Sequence, residues 1–161
     1  MKEMRRFKQK LPDSEILKIL ERNTSGVLSM ADETNHPYCV PLSYVLDHNS
    51  LYFHCAKEGH KMEVLRQNPQ VCFCVIDQDE IIPEKYTTYF KSVIIYGKAS
   101  VINDESKKRK ALEILASKYS PNDPEGIQKE IDSSFDAVCM VEIKIEEKSG
   151  KQAIELVGTV S

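Results

Sequence analysis

The chain has 161 residues, enough for one domain with a true hydrophobic core and no need of disulfide staples. Its 22 Lys and Arg against 25 Asp and Glu leave a formal net charge of −3, with 41% hydrophobic and 29% charged residues. That balance excludes a disordered chain and the overall basic footprint of a nucleic-acid binder, and no apolar run approaches the ~18 residues of a membrane span.

The basic start "MKEMRRFKQK" is followed by no apolar segment, so a cytoplasmic protein is expected. In "LPDSEILKILERN", Ile16, Leu17, Ile19 and Leu20 recur at helical spacing, with Asp13 placed to cap the start. Val27, Leu28 and Met30 mark a short strand, and "ADETNHP" is a polar turn. A second strand, "YCVPLSYVL", and a third, "LYFHCA", flank the turn "DHNS", which makes a β-meander. Pro41 removes a ladder donor, so the second strand should have an edge, a bulge or a ligand-facing backbone there.

A helix follows with Met62, Val64 and Leu65 on its apolar side and Asn68-Pro69 as its stop. "QVCFCVID" reads as a buried strand, and a loop then leads to a long strand over 88–102. Gly97 within it predicts a bend or bulge of the kind that curls a sheet. Asp104 caps the next amphipathic helix, which stops before Pro121 and whose basic run Lys107 to Lys110 reads as a solvated face. "NDPEGIQKEIDSSF" predicts a loop and short helix, and "DAVCMVEIKIEEKSGKQ" a final strand. The order predicts a single domain over 1–150 with a weakly structured tail over 151–161. The class is mainly β (α+β), a small antiparallel barrel with helices across its openings.

Five cysteines, at 39, 55, 72, 74 and 139, show no C-x-x-C spacing and read as reduced, mostly buried thiols rather than metal ligands. The densest chemistry is "YFHCAKEGHK", residues 52–61, where a strand runs into a glycine-containing basic turn and a helix start. Free N–H groups at a helix N-terminus favour an anion, Gly59 lets backbone approach, and Lys57, His60 and Lys61 add donors. A phosphate site and a solvated basic turn both fit those residues. His54, inside the apolar strand, reads as a core histidine. A Cys55–His54 nucleophile pair is disfavoured, because neighbouring strand residues point to opposite faces.

The run "GVLSM…HPYCVPLSYVLDHNSLYFHCAKEGHKMEVLRQNPQVCFCVI", followed by "TTYFKSVIIYGKASVI", resembles the pyridoxamine 5′-phosphate oxidase-like FMN-binding split barrels, in particular their nitroimidazole-resistance branch. The resemblance covers roughly residues 5–147. It implies a six-stranded split barrel and a homodimer with FMN at the interface. The cofactor would lie along Cys39, Val40, Pro41, Leu42, Ser43 and Tyr44, and its phosphate would meet His54 and Cys55. His60 and Lys61 would clamp that phosphate, and Ser92 would add a contact from the long strand; Lys57 is added from its position beside the anion site.

The branch pattern H-x-A-x-x-G-H-K is matched by His54, Ala56, Gly59, His60 and Lys61. The vitamin oxidase's Arg-Lys pair is His60-Lys61 here, and the chain has no Trp, so oxidation of the vitamin phosphate is not what the resemblance implies. It implies instead that FMN passes electrons from NAD(P)H or a redox protein to a small electron-poor acceptor such as a nitroimidazole. His54 would donate a hydrogen bond or proton near the ring, and Tyr44, Tyr86 and Tyr89 are candidates to stack on it. The alternatives are a non-catalytic flavin carrier and a haem protein using His36, His48, His54 or His60 as an axial ligand.

Overall fold

The structure, a computed structural model, describes residues 4–158. Seven strands form one antiparallel sheet in the order β2-β1-β5-β6-β7-β4-β3, where β1 is Ser25–Ala31, β2 Pro37–Ser43, β3 Val45–Asp47 and β4 Ser50–Ala56. The long strands are β5, Gln70–Ile82, β6, Thr87–Val101, and β7, Val138–Gln152. Four helices complete the fold: α1 Asp13–Arg22, α2 His60–Gln67, α3 Glu105–Tyr119 and α4 Pro124–Ser134.

The strand order itself shows that the sheet curls. Its two edges are β2 and β3, yet Tyr44 alone separates them in sequence. Cα atoms two residues apart lie at most about 7 Å from one another, so the edges must come round to meet. The expected second strand over 38–46 is therefore two strands on opposite edges, and the sheet has seven strands rather than six. The sheet is not closed by hydrogen bonds. β3 pairs with β4 only over Ser50 to Tyr52, which leaves Phe53 to Ala56 without a partner on that side. β2 pairs with β1 alone, which is how its Pro41 is tolerated. Between them lies a split in the wall.

Bends in β6 serve the curl. The β6–β7 register shifts between Tyr96 and Gly97, where a Cβ on Gly97 would lie 2.4 Å from the Lys144 carbonyl oxygen. The barrel interior is filled by Leu28, Tyr44, Phe53, Phe73, Ile95 and Ile143, against which α1 places Ile16, Ile19 and Leu20 and α2 places Met62, Val64 and Leu65. A second core lies outside the wall, where Leu112 and Leu115 of α3 and Ile127 and Ile131 of α4 cover Val45, Tyr52 and Met140.

Several expectations need correction. Asp13 does not cap α1: Pro12 occupies that position, and the Asp13 carboxylate instead pairs with Lys148 at 3.4 Å. Asp104 does cap α3, accepting from the Lys107 N–H at 2.6 Å. The loop before the long strand is mostly strand, because β5 runs to Ile82 before a tight turn at Pro83–Lys85. The tail is ordered further than 151: β7 continues to Gln152, Ala153 is buried and its N–H donates to Phe90 at 2.9 Å, and a 3-10 turn spans Ile154–Leu156. Residues 159–161 of that tail lie outside the described residues. The thiols are free but not mostly buried, since Cys39 is exposed and only Cys139 is buried. No described helix is long and apolar enough to cross a membrane.

Candidate functional site

The start of α2 sits at the split. Its His60 ring packs edge-on against Tyr38 of β2 at 4.7 Å, and Lys61 Nζ lies 5.5 Å from the centre of the Phe53 ring on β4. The helix thus bridges the two unpaired edges. Its N-cap is Gly59 at φ +126°, a left-handed value that favours glycine, and a Cβ there would touch nothing within 4 Å. No side chain caps this first turn, whereas Asp104 and Asp123 cap α3 and α4. The first N–H groups of α2, those of His60 and Lys61, are therefore left without a side-chain acceptor, while those of Met62 and Glu63 already donate to the Gly59 carbonyl. Glu63 tempers the charge, lying 3.6 Å from His60 Nδ1.

Alternation along β2 divides its predicted residues. Cys39, Pro41 and Ser43 are exposed on the outer side, while Val40 and Leu42 are half-buried against the interior core. A ligand lying outside the wall would meet Val40 and Leu42 only through backbone. Tyr44 is fully buried: its hydroxyl donates to the Leu20 carbonyl at 2.8 Å and its ring packs edge-on against Phe73 at 5.0 Å. It has no face left for stacking. Tyr86 is 99% exposed, beside the turn that ends β5 and remote from α2, so it is not brought to the site either.

His54 is not a core histidine. It is exposed on the outer face of β4 because Phe53 and Cys55 on either side take the inward positions. There it borders a cavity of about 280 Å3 with Ser43 of β2 and an apolar roof of Leu112, Leu115, Ala116 and Ile131 from α3 and α4. Glu130, Ser134 and Tyr119 supply its polar rim. This roof is not legible in the sequence: the apolar spacing of α3 and α4 says that they pack, not which strands they cover.

Cys55 is half-buried, with Sγ 3.4 Å from Met62 Sδ, and burial pushes its thiol up to about 11 despite the opposing charge of Lys61. Such a thiol is a poor nucleophile. The Lys57 side chain borders a different cleft with Arg66 and Lys108, while its carbonyl accepts from Arg66 at 3.0 Å. Ser92 is not brought to the others within one chain. Cys39, Ser29, Cys72 and Tyr96 form one row across β2, β1, β5 and β6, and Ser92 lies four residues beyond Tyr96. Strand rise and strand spacing put it roughly 20 Å from the Cys39 end of β2.

Residues 12–152 match the family model for pyridoxamine 5′-phosphate oxidase. No curated protein matches the chain. Among solved structures, a FAD-binding protein from Mesorhizobium loti is 26% identical over 90% of this chain and 97% of that one, with a TM-score of 0.62. A candidate 5-nitroimidazole antibiotic resistance protein from Bacteroides thetaiotaomicron is 22% identical over 89% of this chain and 86% of that one, at TM-score 0.74. The flavocytochrome Anf3 of Azotobacter vinelandii is 20% identical over 93% of this chain and 72% of its own, at TM-score 0.76. The last two likenesses speak for the fold. With the family model spanning nearly the whole folded chain and the fold shared with these structures, this protein belongs to the pyridoxamine 5′-phosphate oxidase family.

Proposed function

We propose that the protein is a cytoplasmic flavin-dependent oxidoreductase that holds FMN at the split. The observation that carries this reading is the uncapped α2 start, with His60 and Lys61 on it, opening onto the unpaired edge of β2. A phosphate there would be held by the first-turn N–H groups and the Lys61 ammonium. The rest of the cofactor would follow the exposed side of β2 past Cys39, Pro41 and Ser43. The FAD-binding neighbour supports a flavin in general. When bound, the flavin supplies hydride and electron transfer, with NAD(P)H or a redox protein as donor.

The chain's own part is to position and to exclude water. His54 and Ser43 reach the same apolar-roofed cavity, which suits a small planar acceptor such as a nitroimidazole. His54 is placed to donate a hydrogen bond or proton to that acceptor at the cavity mouth. Among the described residues no helix lies over the outer face of β5 and β6, which exposes Ile76, Ile94 and Tyr96, with Cys72, Cys74 and Ser92 among them. A second copy covering this face would complete a homodimer, and Ser92 would then reach a flavin only across the interface. Ile94→Asp, which buries a charge there, is expected to convert the dimer to monomer in size-exclusion chromatography with light scattering.

The test is FMN binding to the full chain, followed by quenching of flavin fluorescence. Lys61→Ala should weaken FMN by ten- to a hundredfold, the loss of one charge-assisted phosphate contact. It should weaken riboflavin, which lacks the phosphate, little. Equal losses for both ligands, or no loss, would remove α2 from the phosphate site.

A further inference from the structure

Three sulfur atoms converge beside α2, and the phosphate contacts proposed above at the α2 start use none of them. Cys55 on β4 and Cys139 on β7 are direct register partners, so their Cβ atoms stand about 4.5–5.5 Å apart on one face. Met62, the third residue of α2, brings its Sδ to 3.4 Å from Cys55 Sγ. Cys139 and Met62 border a cleft of about 370 Å3 that opens to solvent between α2 and α3, so the cluster has an entry path.

We propose that Cys55, Cys139 and Met62 form a three-sulfur site for a soft monovalent ion, copper(I) foremost. Two thiolates and a thioether select such an ion over zinc or magnesium. Among the described residues no group of three His, Cys, Asp or Glu could hold a metal, so harder ions find no comparable set. With metal–sulfur bonds of about 2.3 Å, a planar three-coordinate ion spaces its sulfurs about 4 Å apart. The 3.4 Å separation widens to that by rotation of the flexible Met62 side chain.

Charge also fits. Copper(I) with two thiolates carries one net negative charge, Lys61 acts electrostatically on Cys55, and Lys57 borders the cleft. Binding releases the two thiol protons to solvent and changes no oxidation state. Such a site was hidden in the sequence, because its cysteines are 84 positions apart (139 − 55) and meet only through β4–β7 pairing.

The test uses the full chain with Cys39, Cys72 and Cys74 replaced by serine, reduced and kept free of oxygen, and challenged with the copper(I)–bicinchoninate complex. One equivalent of copper should pass to the protein. Cys139→Ser should abolish the transfer, and Met62→Leu, close in volume and mild for the fold, should weaken it about tenfold. Should Cys139→Ser fail to fold, Met62→Leu carries the test alone. No transfer, or transfer undiminished in the variants, would overturn the site. A Cys55–Cys139 disulfide in freshly isolated protein would do the same, since it consumes both thiolates.

Discussion

Tyr44→Phe probes how the two sheet edges are held together. Tyr44 is the only residue between β2 and β3 and is fully buried. Its hydroxyl donates to the Leu20 carbonyl in the last turn of α1 at 2.8 Å, and its ring lies between Phe73 and the Lys118 ammonium, 4.4 Å from the ring centre. Phenylalanine keeps the ring contacts and removes one buried hydrogen bond, stranding that carbonyl, at a cost of about 1–2 kcal/mol. In a domain of this size that lowers the melting temperature by roughly 2–8 °C.

The effect has a pH signature. Burial, with lesser help from Tyr119 and Asp77, pushes the Tyr44 phenol far above its ordinary value. Above pH ~10 the unfolded chain releases this proton while the folded one keeps it, so stability falls as pH rises. Thermal melts at pH 7 and in the alkaline range should show Tyr44→Phe less stable at pH 7 and declining less steeply than wild type above pH ~10. Its FMN affinity should be unchanged, since the ring faces the core. An unaltered melting temperature at pH 7, or an alkaline slope equal to wild type, would show that the Tyr44 hydroxyl does not help hold the sheet edges to α1.

Asp77 ties α1 to β5 by accepting from Arg22 at 2.7 and 2.5 Å and from Asn23 at 2.7 Å. Burial pushes its carboxyl up, but these hydrogen bonds and the Arg22 charge outweigh burial and hold it below the ordinary value. Asp77→Asn should cost about 2 kcal/mol at neutral pH, and the deficit should shrink as pH falls below ~4, where wild type loses the same stabilisation. Urea midpoints at pH 7 and pH 3 check this, and a deficit independent of pH contradicts it. With metal chelated at pH 7.5, Ellman's reagent should modify exposed Cys39 first. Cys55, pushed up to about 11, holds about a hundredfold less thiolate than an ordinary cysteine and should lag far behind Cys39, as should buried Cys139, which mass mapping of the labelled peptides would show.

Much of the fold was legible because its signals are local. Asp104, Gly97 and Asn68-Pro69 announce a cap, a bend or bulge, and a stop through backbone chemistry that neighbours do not change, and each was found where expected; of the three readings open at Pro41, the edge is the one realised. Asp13 fails for the same kind of reason, since Pro12 one residue earlier takes the cap position. The break at Tyr44 was not legible, because a run of apolar residues gives no sign that its halves pair on opposite edges. His54 was misread for a related cause: apolar neighbours in sequence made it look buried, but alternation places it outside, where α3 and α4 leave a cavity. The basic turn at residues 57–61 was visible as chemistry, yet only the meeting of Tyr38 with His60 and of Phe53 with Lys61 shows that it bridges the split.

Whether the split holds a flavin is read from the visible spectrum of the purified full chain, with the chromophore released by denaturation and identified. The two-band yellow spectrum of a flavin is expected, either as isolated or after FMN is added, with FMN as the released species. A sharp Soret band, or a colourless protein that leaves added FMN free, would contradict it.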